Sequence, residues 1–289
     1  MNVVWGVGLK GGGPWPFMAA ASIPMFHMQV AFAIGLLGVY VGWRGVIARM
    51  TGFYDLSGAV RYLLYGLVAG VFIALAVDQL ILIPIIEDSS ASAVSVPLGN
   101  LSLLSLLIAA VESSLALFLV GRPRVASIRA SPPFGWALGL GLGSMQAAYL
   151  IVRLFDPNLT PLSSIAGFNP FSVAVAVLIA LLACIGHALP ATWQGNQLLE
   201  GSRTKPYLFS TLARAILSLC LVLSLFRPAF VLAAAPFVAF FWIRAQETWL
   251  PSGLTPAARQ AYRRTIRQAD RHREGAESRI RGEITDCEE

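Results

Sequence analysis

Ionisable side chains are what this sequence has least of. Only 12% of its 289 residues are Asp, Glu, Lys or Arg, about half of the roughly 25% usual in a soluble domain. Hydrophobic residues make up 56%. One water-soluble core does not hold that much apolar surface, so lipid must cover part of the chain. Lysine is nearly absent: Lys10 and Lys205 are the only two. Neither lies in a long apolar run, which excludes a Schiff base of the kind retinal needs. Cys184, Cys220 and Cys287 are the only cysteines, with no C-x-x-C spacing. That excludes a disulfide scaffold and a thiolate metal site, and the three read as free thiols. There is no phosphate-binding glycine–lysine loop and no dinucleotide fingerprint, which argues against a nucleotide-driven pump. The first residues lack a basic n-region and a cleavage site, so the first apolar segment is expected to stay in the mature protein.

What is present is apolar length. Seven stretches, at roughly 17–43, 61–86, 98–120, 134–154, 170–193, 207–226 and 229–244, are each read as a membrane-crossing helix. The seventh is short and is expected to run on towards Ala245–Trp249. Pro16, Pro97, Pro133, Pro170, Pro206 and Pro228 stand at span starts or ends. Proline suits a first helical turn, where its missing N–H had no helical partner. Trp15, Trp43, Trp136, Trp193, Trp242 and Trp249 fall near span ends and read as an interfacial aromatic belt. No internal repeat stands out, although Pro24 and Pro236 interrupt the first and last spans as a secondary transporter's broken helices would be.

Charge alternates between the loops. Arg44, Arg49, Arg61, Arg122, Arg124, Arg129, Arg203, Lys205 and Arg244 fall on one side, and Lys10, Arg153 and Arg227 on the other. The excess of positive charge on cytoplasmic loops then places the N-terminus outside and the C-terminus in the cytosol. The resulting class is all-α: a polytopic transmembrane bundle over residues 1–246, followed by a charged cytosolic helical tail over 247–289. From Glu247 onward eight arginines meet eight acids, so the formal charge of +6 belongs wholly to the membrane part. Thr255 and Pro256 form a helix start, and a helix is expected to about Arg281. Its apolar stripe, Ala258, Tyr262, Ile266 and Ala269, is thin. A tail without net charge argues against nucleic acid as a partner. The expected partners are the lipid bilayer and other membrane proteins, and the expected location is the cell membrane.

A polar side chain inside a span is costly and normally faces a partner or a cavity. The candidates are His27, Asp78, Glu112, Gln146, His187 and Arg214, with Gln79 beside Asp78. Small residues at four-residue steps share their faces: Gly66, Gly70 and Ala74 lead to Asp78, and Gly135, Gly139 and Gly143 lead towards Gln146. Such faces let backbones approach and aim the polar groups inward. At about 1.5 Å of rise per residue, Glu112, His187 and Arg214 each lie roughly two turns from the cytosolic end of their span. They are expected to meet in one cavity, with Gln146 just above, Asp78 in the outer half and His27 near the middle. A haem held by His27 and His187 would need both at one depth, and they differ. The plain alternative is a Glu–Arg pair and a bridging histidine that only fix helix register.

The order of these residues carries a resemblance. Glu112 near the end of one span, a basic loop, the segment G-L-G-L-G-S-M-Q at 139–146 and then His187 resemble the CAAX-protease/PrsW-like superfamily of intramembrane metalloproteases, especially its YhfC-type branch. The resemblance covers roughly Ala109 to Trp193 and implies zinc and hydrolysis, with Glu112 and His187 as candidate metal ligands and catalytic residues. The family's paired glutamate is Ser113 here, its second acid is Gln146, and Ala191 replaces the Asp or Asn expected after the histidine. A hydrolytic metal needs about three protein ligands, a water and a base. Glu112 and His187 supply two ligands at most, so the resemblance implies a degenerate member whose cavity binds, scaffolds or regulates. The expectation is therefore a non-catalytic binding, assembly or transport component with a polar intramembrane cavity and no cofactor. The alternative is a zinc-dependent intramembrane protease-like enzyme centred on Glu112 and His187.

Overall fold

The computed structural model describes residues 23–89 and 98–281. Among these, every regular element is helical, and seven helical segments are long and apolar enough to cross a membrane. The first span is α1 (Met25–Gly45), extended to Met50 by a short 3-10 turn. The second begins as α2 (Leu56–Val77), passes through a π-helical turn at Asp78–Leu82 and ends in α3 (Ile83–Ser89). Then come α4 (Leu98–Val120), the one-turn connector α5 (Pro123–Ser127), α6 (Ser131–Leu154), α7 (Pro170–Leu199) and α8 (Thr204–Ser224). The seventh span is α9 (Ala229–Arg244), which runs on through a π turn and a 3-10 turn to Gly253, and α10 (Pro256–Ile280) forms the tail. The first span thus lies later than 17–43, and Trp15 and the segment before Ile23 lie outside the described residues. The extension of the seventh span through Ala245–Trp249 agrees with the sequence reading, and the span continues to Gly253.

Local chemistry explains the ends. Asn169 and Ser172 cap α7 reciprocally, each side chain accepting the other's backbone N–H at 2.9 and 3.0 Å, with Pro170 at the first position. The far end of α7 closes on Gly201, whose φ of +80° suits a residue without Cβ. Thr255 Oγ1 accepts from Ala258 N and starts α10, as its position before Pro256 predicts. Arg129, at φ 54°, is the one non-glycine described in the left-handed region. The guanidinium of Arg129 donates to Ser252 O, tying the α5–α6 turn to the end of the seventh span.

The least apolar span sits at the centre. The apolar window of α6 is 89% buried, against 22% for the window in the seventh span. Glycine makes this possible. A Cβ at Gly139 would overlap Ala188 Cα and the His187 carbonyl of α7, and one at Gly66 would overlap the Leu138 carbonyl of α6. Both helices therefore approach α6 at backbone contact, which is how apolar helices associate where lipid is as apolar as leucine. Outward faces carry large apolar side chains such as Phe72, Phe118 and Phe237, which lipid would solvate. One aromatic departs from the belt reading. Trp136 is fully buried, and its indole donates to Gly42 O at 3.1 Å. Its place near a span end made it look interfacial, but α6 has no lipid-facing side there.

The tail rests on the same end of the bundle as the α1–α2 and α5–α6 turns. Tyr262 is buried and meets Phe53 edge-on at 5.5 Å. Burial pushes its phenol above its ordinary pKa, and Arg49 nearby pulls the other way. Arg259 donates to the carbonyls of Pro251, Ser252 and Leu254, closing the turn into α10.

Candidate functional site

Two charged networks lie inside the bundle. The first forms where α4 packs on α7 and α8. Glu112 Oε1 stands 2.6 Å from His187 Nδ1 and 3.0 Å from Arg214 Nε. The Nε approach is close enough for an ion pair but is not aligned as a hydrogen bond. Arg214 Nη1 donates to Ser113 Oγ at 2.9 Å, and Gln194 Nε2 donates to Ser113 O at 3.1 Å. Glu112, His187 and Arg214 are at most 1% exposed. One helical turn after His187, Pro190 has no N–H to return to the Gly186 carbonyl, and its own carbonyl accepts from Ser210 Oγ. The second network lies at the opposite end of the bundle from α10. Arg153, near the end of α6, grips Asp78 with both arms of its fork, Nε to Oδ1 at 2.6 Å and Nη2 to Oδ2 at 2.7 Å. Arg153 Nη1 also lies 3.6 Å from Asp156, whose carboxylate caps the next turn by accepting from Asn158 N.

The six singled-out residues thus divide. Glu112, His187 and Arg214 are in contact. Gln146 donates from α6 to Ser218 Oγ of α8 at 3.2 Å, one helical turn along α8 from Arg214. Asp78 belongs to the second network. His27 stacks on Phe168 with ring centroids 4.3 Å apart and joins neither. The sequence reading treated Arg153 as a loop cation and Ser113 as a lost glutamate. Arg153 is instead a buried counter-ion, and the Ser113 hydroxyl receives the guanidinium. The signal for Arg153 was the spacing itself, since a basic residue just inside the end of a span can turn back towards an acid in a neighbouring helix.

The first network keeps hydrogen-bonding capacity in reserve. Glu112 Oε2, His187 Nε2, Arg214 Nη2, Gln146 Oε1 and Gln194 Oε1 are all buried, and none takes part in a hydrogen bond. Ser105 Oγ, two turns along α4 from Glu112, and Thr211 Oγ1, one turn before Arg214, share that condition. Leaving such a group unmatched costs about 1–3 kcal/mol, so these seven atoms, with Arg214 Nε as an eighth, need a reason. The carboxylate contact places the imidazole proton on Nδ1.

That geometry bears on a metal. Because Nδ1 is turned to Glu112, Nε2 points away from it, and the two residues do not converge on one ion through Nε2. The Arg214 guanidinium beside Oε1 adds a fixed positive charge where a dication would have to sit. Among the described residues no group of three or more His, Cys, Asp or Glu could hold a metal ion. Glu112 and His187 supply at most two of the roughly three protein ligands that a hydrolytic zinc needs.

Seven apolar spans around buried ion networks define a class, an all-α multi-pass membrane protein. Comparison with known proteins takes the assignment no further: no family model, no curated protein and no solved structure matches the chain.

Proposed function

We propose that this chain is a non-catalytic membrane component that binds, and in doing so carries or senses, a small polar group in the seam between α4, α6, α7 and α8. The observation that carries the reading is the set of buried, unbonded atoms around one ion pair. Glu112 Oε2 and Gln146 Oε1 are free to accept and Arg214 Nη2 is free to donate, with the unbonded Nε2 of His187 beside them. An occupant with N–H or O–H donors and at least one acceptor complements that set. Glu112 acts here as a positioning residue that fixes the ring of His187. Pro190, one turn beyond, supplies the helix break at which α7 can bend to admit the occupant. The same reading puts the arginine-rich end and α10 in the cytosol and the protein in the cell membrane.

The test is ligand-dependent stability in detergent. Unfolding midpoints are measured against small ammonium, guanidinium, polyol and carboxylate compounds. One class is expected to raise the midpoint of the parent protein and to leave that of His187→Ala unmoved. If no class does so, the seam is only structural. The rival reading is a metal-dependent intramembrane hydrolase, favoured by one feature: a carboxylate on Nδ1 also orients histidines that bind zinc through Nε2. Elemental analysis separates the two. One zinc per chain, lost in both Glu112→Ala and His187→Ala, would favour the hydrolase, and none at all would sink it.

A further inference from the structure

The tail is neutral in total but not along its length. Between Pro256 and Arg273 six arginines accompany one acid, Asp270, whereas residues 274–289 hold six acids and two arginines. The positive half is the half joined to the membrane span, with only Leu254 and Thr255 between Gly253 and the start of α10. Arg263, Arg264, Arg267 and Arg271 recur at three- and four-residue steps, so they share one face. All four are exposed, and among the described side chains none has an ion-pair partner. That face lies away from Tyr262 and Ile266, which hold the helix to the bundle. Pro256, Arg259, Gln260, Arg263, Arg264 and Arg267 line an open groove of about 550 Å³ along it. The bundle end beneath continues the pattern, with Arg44, Arg61, Arg124 and Arg244 exposed at the mouths of four different spans.

We infer that the arginine face of α10 docks on anionic phospholipid headgroups of the leaflet at this end of the bundle. The charge pattern selects this occupant. Positive charge is concentrated in the half of the tail joined to the last span, and the surface potential of an anionic leaflet acts over about a Debye length, roughly 8–10 Å. Negative charge is displaced to the distal half, where it would be repelled outward. A nucleic acid or an acidic soluble protein would meet the same acidic stretch as an obstacle. Guanidinium groups suit phosphate oxygens because they donate in a planar fork. The inference does not rest on the buried seam, and the variants below leave every residue of that seam in place.

The experiment uses full-length protein in nanodiscs of phosphatidylcholine, with or without phosphatidylglycerol. A glutamate-specific protease is added, and cleavage at Glu274 and Glu277 is followed. Those sites persist when the arginines are replaced. Phosphatidylglycerol is expected to slow cleavage by roughly tenfold or more, given about fivefold per arginine near an anionic surface. High salt should remove the protection in the parent protein. The variant Arg263→Gln/Arg264→Gln/Arg267→Gln/Arg271→Gln should be cut at one rate in both discs. Equal rates for the parent protein in the two discs overturn the inference. So does protection by an added oligonucleotide or acidic protein in phosphatidylcholine discs when phosphatidylglycerol gives none. The salt arm needs no substitution, so a poorly folded variant leaves the inference testable.

Discussion

The two buried charge networks differ in how completely they are closed. Asp78 and Arg153 meet fork to fork, Asp156 lies 3.6 Å from the free arm, and none of the three has a fully buried side-chain nitrogen or oxygen without a hydrogen bond. Glu112, His187 and Arg214 are more deeply buried, yet each keeps an atom without a hydrogen bond. A complete set pins α2 to α6 and has nothing further to offer. An incomplete set of the same charges keeps α4, α7 and α8 together while leaving acceptors and a donor for something else. Burial and charge alone do not separate a fastener from a receptor, but the bonds left unmade do.

The largest effect should come from breaking the closed pair. Asp78→Leu or Arg153→Met leaves one buried charge alone and should cost about 3–5 kcal/mol in detergent unfolding, with the double variant regaining most of the loss. Two mild single variants would end the claim that this pair is structural. Next, a double-mutant cycle on Glu112→Gln and Arg214→Met should show coupling of about 1–3 kcal/mol. Additive effects would separate the two residues. His187→Ala should cost only about 1 kcal/mol, the scale of one interhelical hydrogen bond in a membrane protein, while removing any ligand-induced rise in midpoint. A larger loss without change in ligand response would turn the histidine into another fastener. The smallest effect belongs to Gln146→Leu. It gives up a 3.2 Å bond to Ser218 but also an acceptor that bonds to nothing, so stability should move by less than about 1 kcal/mol. A drop of several kcal/mol would show that Oε1 has a partner.

Hydropathy and proline placement made the seven spans and the tail helix legible. Helical rise also put Glu112, His187 and Arg214 at one depth, because each could be counted from a span end rich in basic residues. What could not be counted was which helix lies beside which. Asp78 was visible as an acid at the end of a glycine face. Its partner Arg153 was hidden because a basic residue at a span end looks the same whether it meets water or an acid on the next helix. Trp136 was misread for the same reason: the interfacial rule holds for helices that touch lipid, and α6 touches almost none. The unbonded atoms of the Glu112 cluster were beyond any sequence pattern, since they depend on which of two ring nitrogens faces a carboxylate.

The enclosed position of α6 has a consequence for biogenesis. Of the seven spans it is the least apolar, rich in glycine, with an arginine at its last turn. Released alone from the translocon, it would have little affinity for lipid and an ionised side chain with no counter-charge. The second span emerges earlier and carries Asp78, so it can receive the new helix as soon as Arg153 leaves the ribosome. Gly139 and Gly143 then await α7. Efficient insertion of this stretch should therefore depend on the segments on either side of it, and a reporter in which α6 is presented without them should pass through the membrane rather than stay in it.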